Sequence, residues 1–473
     1  MQTHSFTTAA LASLLLLSSC DNRQTIGPIT TGDDTVASTL YGAIQGYCDD
    51  GVYTFKGIPY AKAERFMAPD YPVQHTDTMK CQVYGPKAMQ GQSAEWRIPS
   101  DYDFGFEFKQ ELMSEDCQVL NVWTPALDGK KRPVFVWIHG GGYSSGSAIF
   151  LPAQDGRSLA KKGDIVVVTV NHRLNVLGYL DLRPLGGKYA QSVNLGMQDL
   201  VKALEWVHTN IANFGGDPDC VTIGGQSGGG GKVSTLLAMP SAQGLFHRAI
   251  VQSGSTLRQM EPGQSAALCA AFLEELGLDT TETDRLSELP YSELDAAAGR
   301  AARKAGGRLG PVVDGTFLPQ HPFDPNAPEC SRTVPMLIGS NLNEFCYTNN
   351  IEEKVDTLTR QRVLAQAAVK AAQGGAPAWV YLFAWKSKVN EGALAACHGM
   401  ELPFMFANVA AQREMTGGTK EAYEMEDRMS AAWIQFIKTG DPNTPKLPRW
   451  EPFNPATQAT MVLDNKSYMK YDK

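Results

Sequence analysis

Basic residues are in the minority in this chain: 42 Lys and Arg against 50 Asp and Glu leave a formal charge of −8. That balance gives no general electrostatic attraction to nucleic acid or to anionic membrane surfaces, where clustered cations must neutralise phosphates. Long apolar runs are missing too, and the apolar segment Ala9 to Leu17 is far too short to cross a bilayer. Tandem repeats are absent, and the low-complexity content is confined to a Thr-, Gly- and Asp-rich stretch from Gln24 to Ser38, which reads as a tether. None of the nine cysteines stands at metal-site spacing, and nothing else in the sequence asks for a cofactor. What is present, 473 residues with 43% hydrophobic content, can bury a large core as one domain with insertions or as two.

Ala9 to Leu17 suits the apolar stretch of an export signal. Leu17-Ser18-Ser19-Cys20 follows and resembles a bacterial lipobox, in which the cysteine is lipidated and becomes the first residue of the mature protein. The expected division is a signal peptide at 1–19, a tether at 20–39 and one domain over 40–473. Membrane contact is expected only through the lipid on Cys20, with the domain facing the periplasm; several acyl chains anchor firmly where one holds marginally. No Lys or Arg precedes the apolar run, so a plain cleaved signal is the alternative. Setting Cys20 aside leaves eight cysteines, an even number compatible with disulfides in an oxidising envelope, or with buried free thiols acting as small hydrophobes.

Short β-branched or aromatic runs recur at Val134 to Ile138, Ile165 to Val170, Val221 to Ile223, Ala249 to Val251, Met336 to Ile338 and Trp379 to Phe383. They read as buried parallel strands. Between the second and third, Leu200, Leu204, Val207 and Ile211 fall on one face of a helix expected over Asp199 to Asn213, which Gly215-Gly216-Asp217-Pro218 ends. The alternation predicts an α/β fold with a mostly parallel central sheet flanked by helices, whose reactive residues gather at the C-terminal ends of strands.

Ser227 stands at such an end. Val221-Thr222-Ile223-Gly224-Gly225-Gln226-Ser227-Gly228-Gly229 is a strand breaking into glycines, the Gly-x-Ser-x-Gly pattern of a nucleophile elbow, and Lys232 to Met239 can carry the helix that follows. Gly142-Tyr143-Ser144-Ser145-Gly146 also fits the pattern, but Pro152 comes soon after with no clear helix between, which ranks Ser144 below Ser227. An activated serine needs a base, and the base needs a carboxylate, in the chain order Ser, acid, His. Three histidines lie beyond Ser227: His247 enters a strand, His321 sits between two prolines in a turn-like stretch, and His398 follows the last strand, which makes it the expected base. Glu344 comes just after the strand Met336 to Ile338 and is the expected acid; Asp314, in an Asp-Gly pair of the kind common in turns, is its rival. Two or more backbone N–H groups must converge on the developing oxyanion. The tract His139-Gly140-Gly141-Gly142, directly after Val134 to Ile138, is the candidate source of one.

With these residues in place the chain, over roughly 40 to 460, resembles the type-B carboxylesterase and cholinesterase family of α/β-hydrolases. Further landmarks are Phe55-Lys56-Gly57-Ile58-Pro59-Tyr60-Ala61, Glu115-Asp116-Cys117-Gln118-Val119-Leu120-Asn121-Val122, Asn171-His172-Arg173-Leu174 and Gln252-Ser253-Gly254. The resemblance implies an α/β-hydrolase fold and a cofactor-free serine carboxylic-ester hydrolase acting on small-molecule esters. It maps a triad onto Ser227, Glu344 and His398, oxyanion donors onto Gly141, Gly142 and Gly228, and a disulfide onto Cys81 and Cys117. Departures from the family bear on substrate. Gln226 and Gly228 stand where Glu and Ala are common, and a site lacking that carboxylate is less suited to a choline cation. Glu344 and His398 are closer in sequence than in most relatives, which implies a more open cleft. Tyr102, Phe104, Phe106 and Phe108 alternate as one face of a strand would, either as core or as an aromatic substrate wall.

Overall fold

The computed structural model describes residues 27–91, 111–345 and 355–472. Eleven strands build one large sheet: β1 (Tyr47–Asp49), β2 (Val52–Pro59), β3 (Val119–Thr124), β4 (Arg132–Ile138), β5 (Val166–Val170), β6 (Gly216–Gln226), β7 (Arg248–Gln252), β8 (Met336–Asn341), β9 (Ala378–Phe383), β10 (Thr460–Leu463) and β11 (Tyr468–Lys470). Their spatial order is β11-β10-β9-β8-β7-β6-β4-β5-β3-β2-β1. The run from β10 to β5 is parallel throughout, and the outer pairings are antiparallel. Helices α1 (Arg157–Gly163), α2 (Leu195–Asn210), α3 (Gly228–Leu236), α4 (Pro262–Leu276), α5 (Tyr291–Lys304), α6 (Thr357–Ala372) and α7 (Lys420–Thr439) accompany the sheet.

β4 shows why the strand sequences look uniformly apolar. Its side chains alternate between the two faces, and both faces are covered. Val134, Val136 and Ile138 join a core with Leu200 and Leu204 of α2 and Val363 and Ala367 of α6. Phe135 and Trp137 join the opposite core with Leu159 of α1 and Met429 and Trp433 of α7. A third cluster packs α4 against α5 through Leu268, Phe272, Leu294 and Ala298.

The sheet order places the chemistry. β4 has β5 on one side and β6 on the other, so the connections leaving β4 (through α1 to β5) and leaving β6 (through α3 to β7) diverge to opposite faces, and a crevice opens at the C-terminal ends of these two strands. Gly225 of β6 pairs with Ile138 of β4, which sets the next turns, at Ser227 and at His139 to Gly142, side by side.

The helix expected over Asp199 to Asn213 begins four residues earlier, at Leu195, and passes at Ile211 into a 3-10 turn that Gly215 closes with φ 74°. Within the segment expected as a tether, Val36–Thr39 pairs antiparallel with Gly42–Gln45, so this part lies folded against the domain. The disulfide implied for Cys81 and Cys117 is not formed: both are free thiols, each 1% exposed in the same apolar core. Burial pushes the Cys81 thiol up to about 12 and the Cys117 thiol up as well, and both pack as small hydrophobes. Cys20 and the alternating aromatics Tyr102 to Phe108 lie outside the described residues. No helix among the described residues is long and apolar enough to cross a membrane.

Candidate active site

Between β6 and α3 the chain turns within one residue. Ser227 takes φ 57° and ψ −127°, a conformation that costs a non-glycine residue on the order of 1–3 kcal/mol and persists only where the surroundings over-determine it. They do so here: the Ser227 N–H donates to the Gln252 carbonyl on β7 at 2.8 Å, and its own carbonyl accepts from the Gly231 N–H at 3.1 Å. The helix was expected from Lys232 onward, yet α3 starts at Gly228 and absorbs four consecutive glycines, which are poor helix formers. Packing overrides propensity. At Gly229 an added Cβ would run into the Ile138 carbonyl, and at Gly228 into the backbone of Gly142, so only bare backbone lets the helix start lie against the end of β4.

Gly141 and Gly142 adopt φ 86° and 62°, the left-handed region that glycine enters without strain. The Gly141 carbonyl accepts from the Ser145 N–H at 3.0 Å and from Ser145 Oγ at 3.1 Å, pinning the loop. A Cβ on Gly228 would stand 2.5 Å from the Gly142 nitrogen, so the amides expected to face the oxyanion sit together beside Ser227. Ser144, the rival serine, is an exposed residue of this same loop.

Glu344 and His398 arrive from the loops after β8 and β9, 54 residues apart in sequence. They are 0% and 2% exposed. Glu344 Oε1 accepts from the Asn341 N–H at 2.8 Å, and its carbonyl accepts from the His398 N–H at 2.8 Å. Glu344 Oε2 lies 2.5 Å from His398 Nδ1. A carboxylate there draws the ring proton to Nδ1 and leaves a lone pair on Nε2. In this structure that lone pair accepts from Gln226 Nε2 at 3.1 Å, from the residue bonded directly to Ser227. The half-exposed Phe345 lays its ring on the imidazole, centroid to centroid 4.1 Å.

A second carboxylate, not singled out in the sequence, sits behind this pair. Glu401 is fully buried; Oε2 accepts from Asn341 Nδ2 at 2.5 Å and Oε1 from Gln252 Nε2 at 3.1 Å, and Trp433 Nε1 donates to the same Gln252 side chain. Burial, and next the nearby Glu344, raise its carboxyl to about 7. Asn341 thus braces both acids, Glu344 through its backbone and Glu401 through its side chain. The one cue in the sequence was the position of Glu401 three residues after His398.

The remaining candidates are held elsewhere. Asp314 accepts from the N–H groups of Thr316, Phe317 and Leu318 at 2.6, 2.7 and 3.2 Å, as the acid of a tight turn. His321 Nε2 meets Glu261 at 2.9 Å, and His247 Nδ1 accepts from the Val221 N–H at 3.2 Å. Among the described residues no group of three His, Cys, Asp or Glu is arranged to hold a metal ion.

The likeness to known proteins runs the length of the chain. The Carboxylesterase family matches residues 33–366 and 356–472. Para-nitrobenzyl esterase of Bacillus subtilis (strain 168) is 34% identical over 484 aligned residues, covering 92% of this chain and 96% of that protein. Cocaine esterase of Homo sapiens is 30% identical, covering 95% and 90%. Among solved structures, an esterase from Clostridium hathewayi, described as able to hydrolyse aliphatic aromatic polyesters, superposes with a TM-score of 0.87 at 34% identity, over 94% of this chain and 97% of its own. The chain belongs to the carboxylesterase family of α/β-hydrolases and is a carboxylic-ester hydrolase.

Proposed function

We propose that this esterase works through an acyl-enzyme on Ser227, with Glu344 and His398 completing the triad and Gly141, Gly142 and Gly228 supplying the oxyanion donors. The observation that carries the reading is the buried relay from Glu344 Oε2 through His398 to the residue bonded to Ser227. On substrate binding His398 Nε2 exchanges its Gln226 partner for Ser227 Oγ. It takes the serine proton as Oγ attacks the ester carbonyl carbon, and the carbonyl oxygen gains negative charge against the backbone amides. Nε2 then passes the proton to the departing alcohol oxygen as that C–O bond breaks. Water repeats the sequence on the acyl-serine, releasing the acid and restoring the hydroxyl. Glu344 stabilises the imidazolium in both halves without being protonated.

The test is a chromogenic short-chain ester together with a fluorophosphonate probe. Wild type should turn over the ester and gain the probe's mass on the peptide that contains Ser227, and Ser227→Ala should lose both. Full turnover by Ser227→Ala would overturn the reading. We also propose export with lipid attachment at Cys20, supported by the apolar segment and the sequence Leu17-Ser18-Ser19-Cys20. Lipid label incorporated equally by wild type and Cys20→Ala would refute it.

A further inference from the structure

Lys232, on the fifth residue of α3, is fully buried, and no carboxylate among the described residues pairs with it. Its Nζ donates to the carbonyl oxygen of His139 at 3.1 Å, and it lies 5.8 Å from the centroid of the Tyr143 ring. These two residues flank Gly140 to Gly142. The other titratable groups facing it are also cationic or neutral: His139 at the end of β4, and His172 after β5, whose ring stacks on His139 at 4.8 Å and whose two nitrogens are buried without a hydrogen-bond partner. Lys87 adds positive charge toward His139. Burial alone brings the Lys232 amine down to about 7, and both histidines are held below their usual range by burial and by Lys232. A lysine in such a place costs stability, and the ester chemistry described above does not use it.

We propose that Lys232 is a positioning residue for the oxyanion hole: it holds the His139–Gly140 peptide from the protein side and sets a positive charge behind the loop whose amides face the reacting carbonyl oxygen. The proposal rests on the serine mechanism above. A charge in a dry interior acts on a developing anion with little screening, and a loop fixed before the reaction needs no reorganisation during it.

Lys232→Met keeps an unbranched stem and removes the ammonium; Lys232→Gln keeps a donor and removes the charge. Both are measured for kcat and KM on p-nitrophenyl acetate from pH 5.5 to 9, and for inhibition by a trifluoromethyl ketone, whose serine adduct carries the oxyanion. Lys232→Met should lose about tenfold or more in kcat with KM within twofold, and bind the ketone more weakly by a similar factor. The wild-type to variant ratio of kcat should be largest below pH 7 and shrink above it, as the wild-type amine loses its proton; taking the ratio cancels the titration of the shared base. Lys232→Gln should fall between the two, and it decides the matter if Lys232→Met does not fold. Unchanged kcat and ketone affinity overturn the proposal, as does a fall in kcat that is flat with pH and leaves ketone affinity untouched, the mark of packing alone. Ser227→Ala, assayed alongside, separates the two levels: if it is inactive while the lysine variants are normal, only the role of Lys232 fails.

Discussion

Gly228→Ala installs the residue the family commonly carries after the nucleophile, and in this chain it should be damaging. An alanine Cβ would stand 2.5 Å from the Gly142 nitrogen and nearer still to its Cα and carbonyl oxygen, whereas ordinary contact begins at 3.4 Å. Backbone on one side or the other must give by about 1 Å. The helix start is tied in place by the Ser227 N–H on the Gln252 carbonyl at 2.8 Å and by the Gly231 N–H on the Ser227 carbonyl at 3.1 Å. The strain therefore falls on Gly141 and Gly142, and one amide leaves the oxyanion. A misplacement of about 1 Å can cost roughly 100-fold, and removal of one donor costs about 3 kcal/mol, which is the same factor. Steady-state hydrolysis of p-nitrophenyl acetate should show kcat down by about 100-fold with KM little changed. Overpacking at a surface crevice should cost about 1–3 kcal/mol of stability, so the protein should remain folded in a thermal melt. A variant with kcat within threefold of wild type would refute the close packing of the elbow against this loop.

Four further outcomes are expected. Glu344→Gln should lower kcat by about 10³–10⁴ with little effect on KM, since an amide cannot stabilise the imidazolium or enforce the Nδ1–H tautomer; a loss under tenfold would remove Glu344 from the relay. His321→Ala should retain most activity, its ring being engaged with Glu261 at 2.9 Å, and inactivation would point to a different base. Gln226→Glu should move the acid limb of kcat/KM to higher pH by about one unit or more, because a carboxylate beside Nε2 favours the imidazolium; an unmoved limb would count against His398 as the base of the proposed mechanism. Glu401 keeps its proton to about 7 when folded and to 4.5 otherwise, so its contribution is complete below pH 4.5 and lost as pH rises through 7. Relative to wild type, Glu401→Gln should therefore gain roughly 2.5 kcal/mol between pH 5 and pH 8 in denaturant titrations, and parallel curves would contradict the raised carboxyl.

What could be read from the chain was local. Runs such as Val134 to Ile138 and Val166 to Val170 are apolar without alternation because both faces of a parallel strand are covered, and that pattern is carried by adjacent residues. The glycines at 140, 141 and 228 to 230 mark places where backbone comes close to backbone, so the two turns of the site were visible as composition. The start of α3 was not, because glycine's weak propensity argues against a helix and only the neighbouring end of β4 overrules it. Nor was the state of Cys81 and Cys117, which depends on a buried apolar setting that neither cysteine reveals in sequence.

The reaction class was legible in the sequence from a serine on a strand-to-helix turn, a glycine tract after an earlier strand, and an acid and a histidine following later strands in the order that chemistry requires. The surroundings of the serine were decided by tertiary structure. Gln226 meets His398 across 172 residues, Asn341 braces Glu401 across 60, and Lys232 reaches His139 across 93. Each contact exists because parallel strands β4, β6, β7, β8 and β9 end on one edge of the sheet, and strand order, unlike strand identity, is set by packing between residues far apart in the chain.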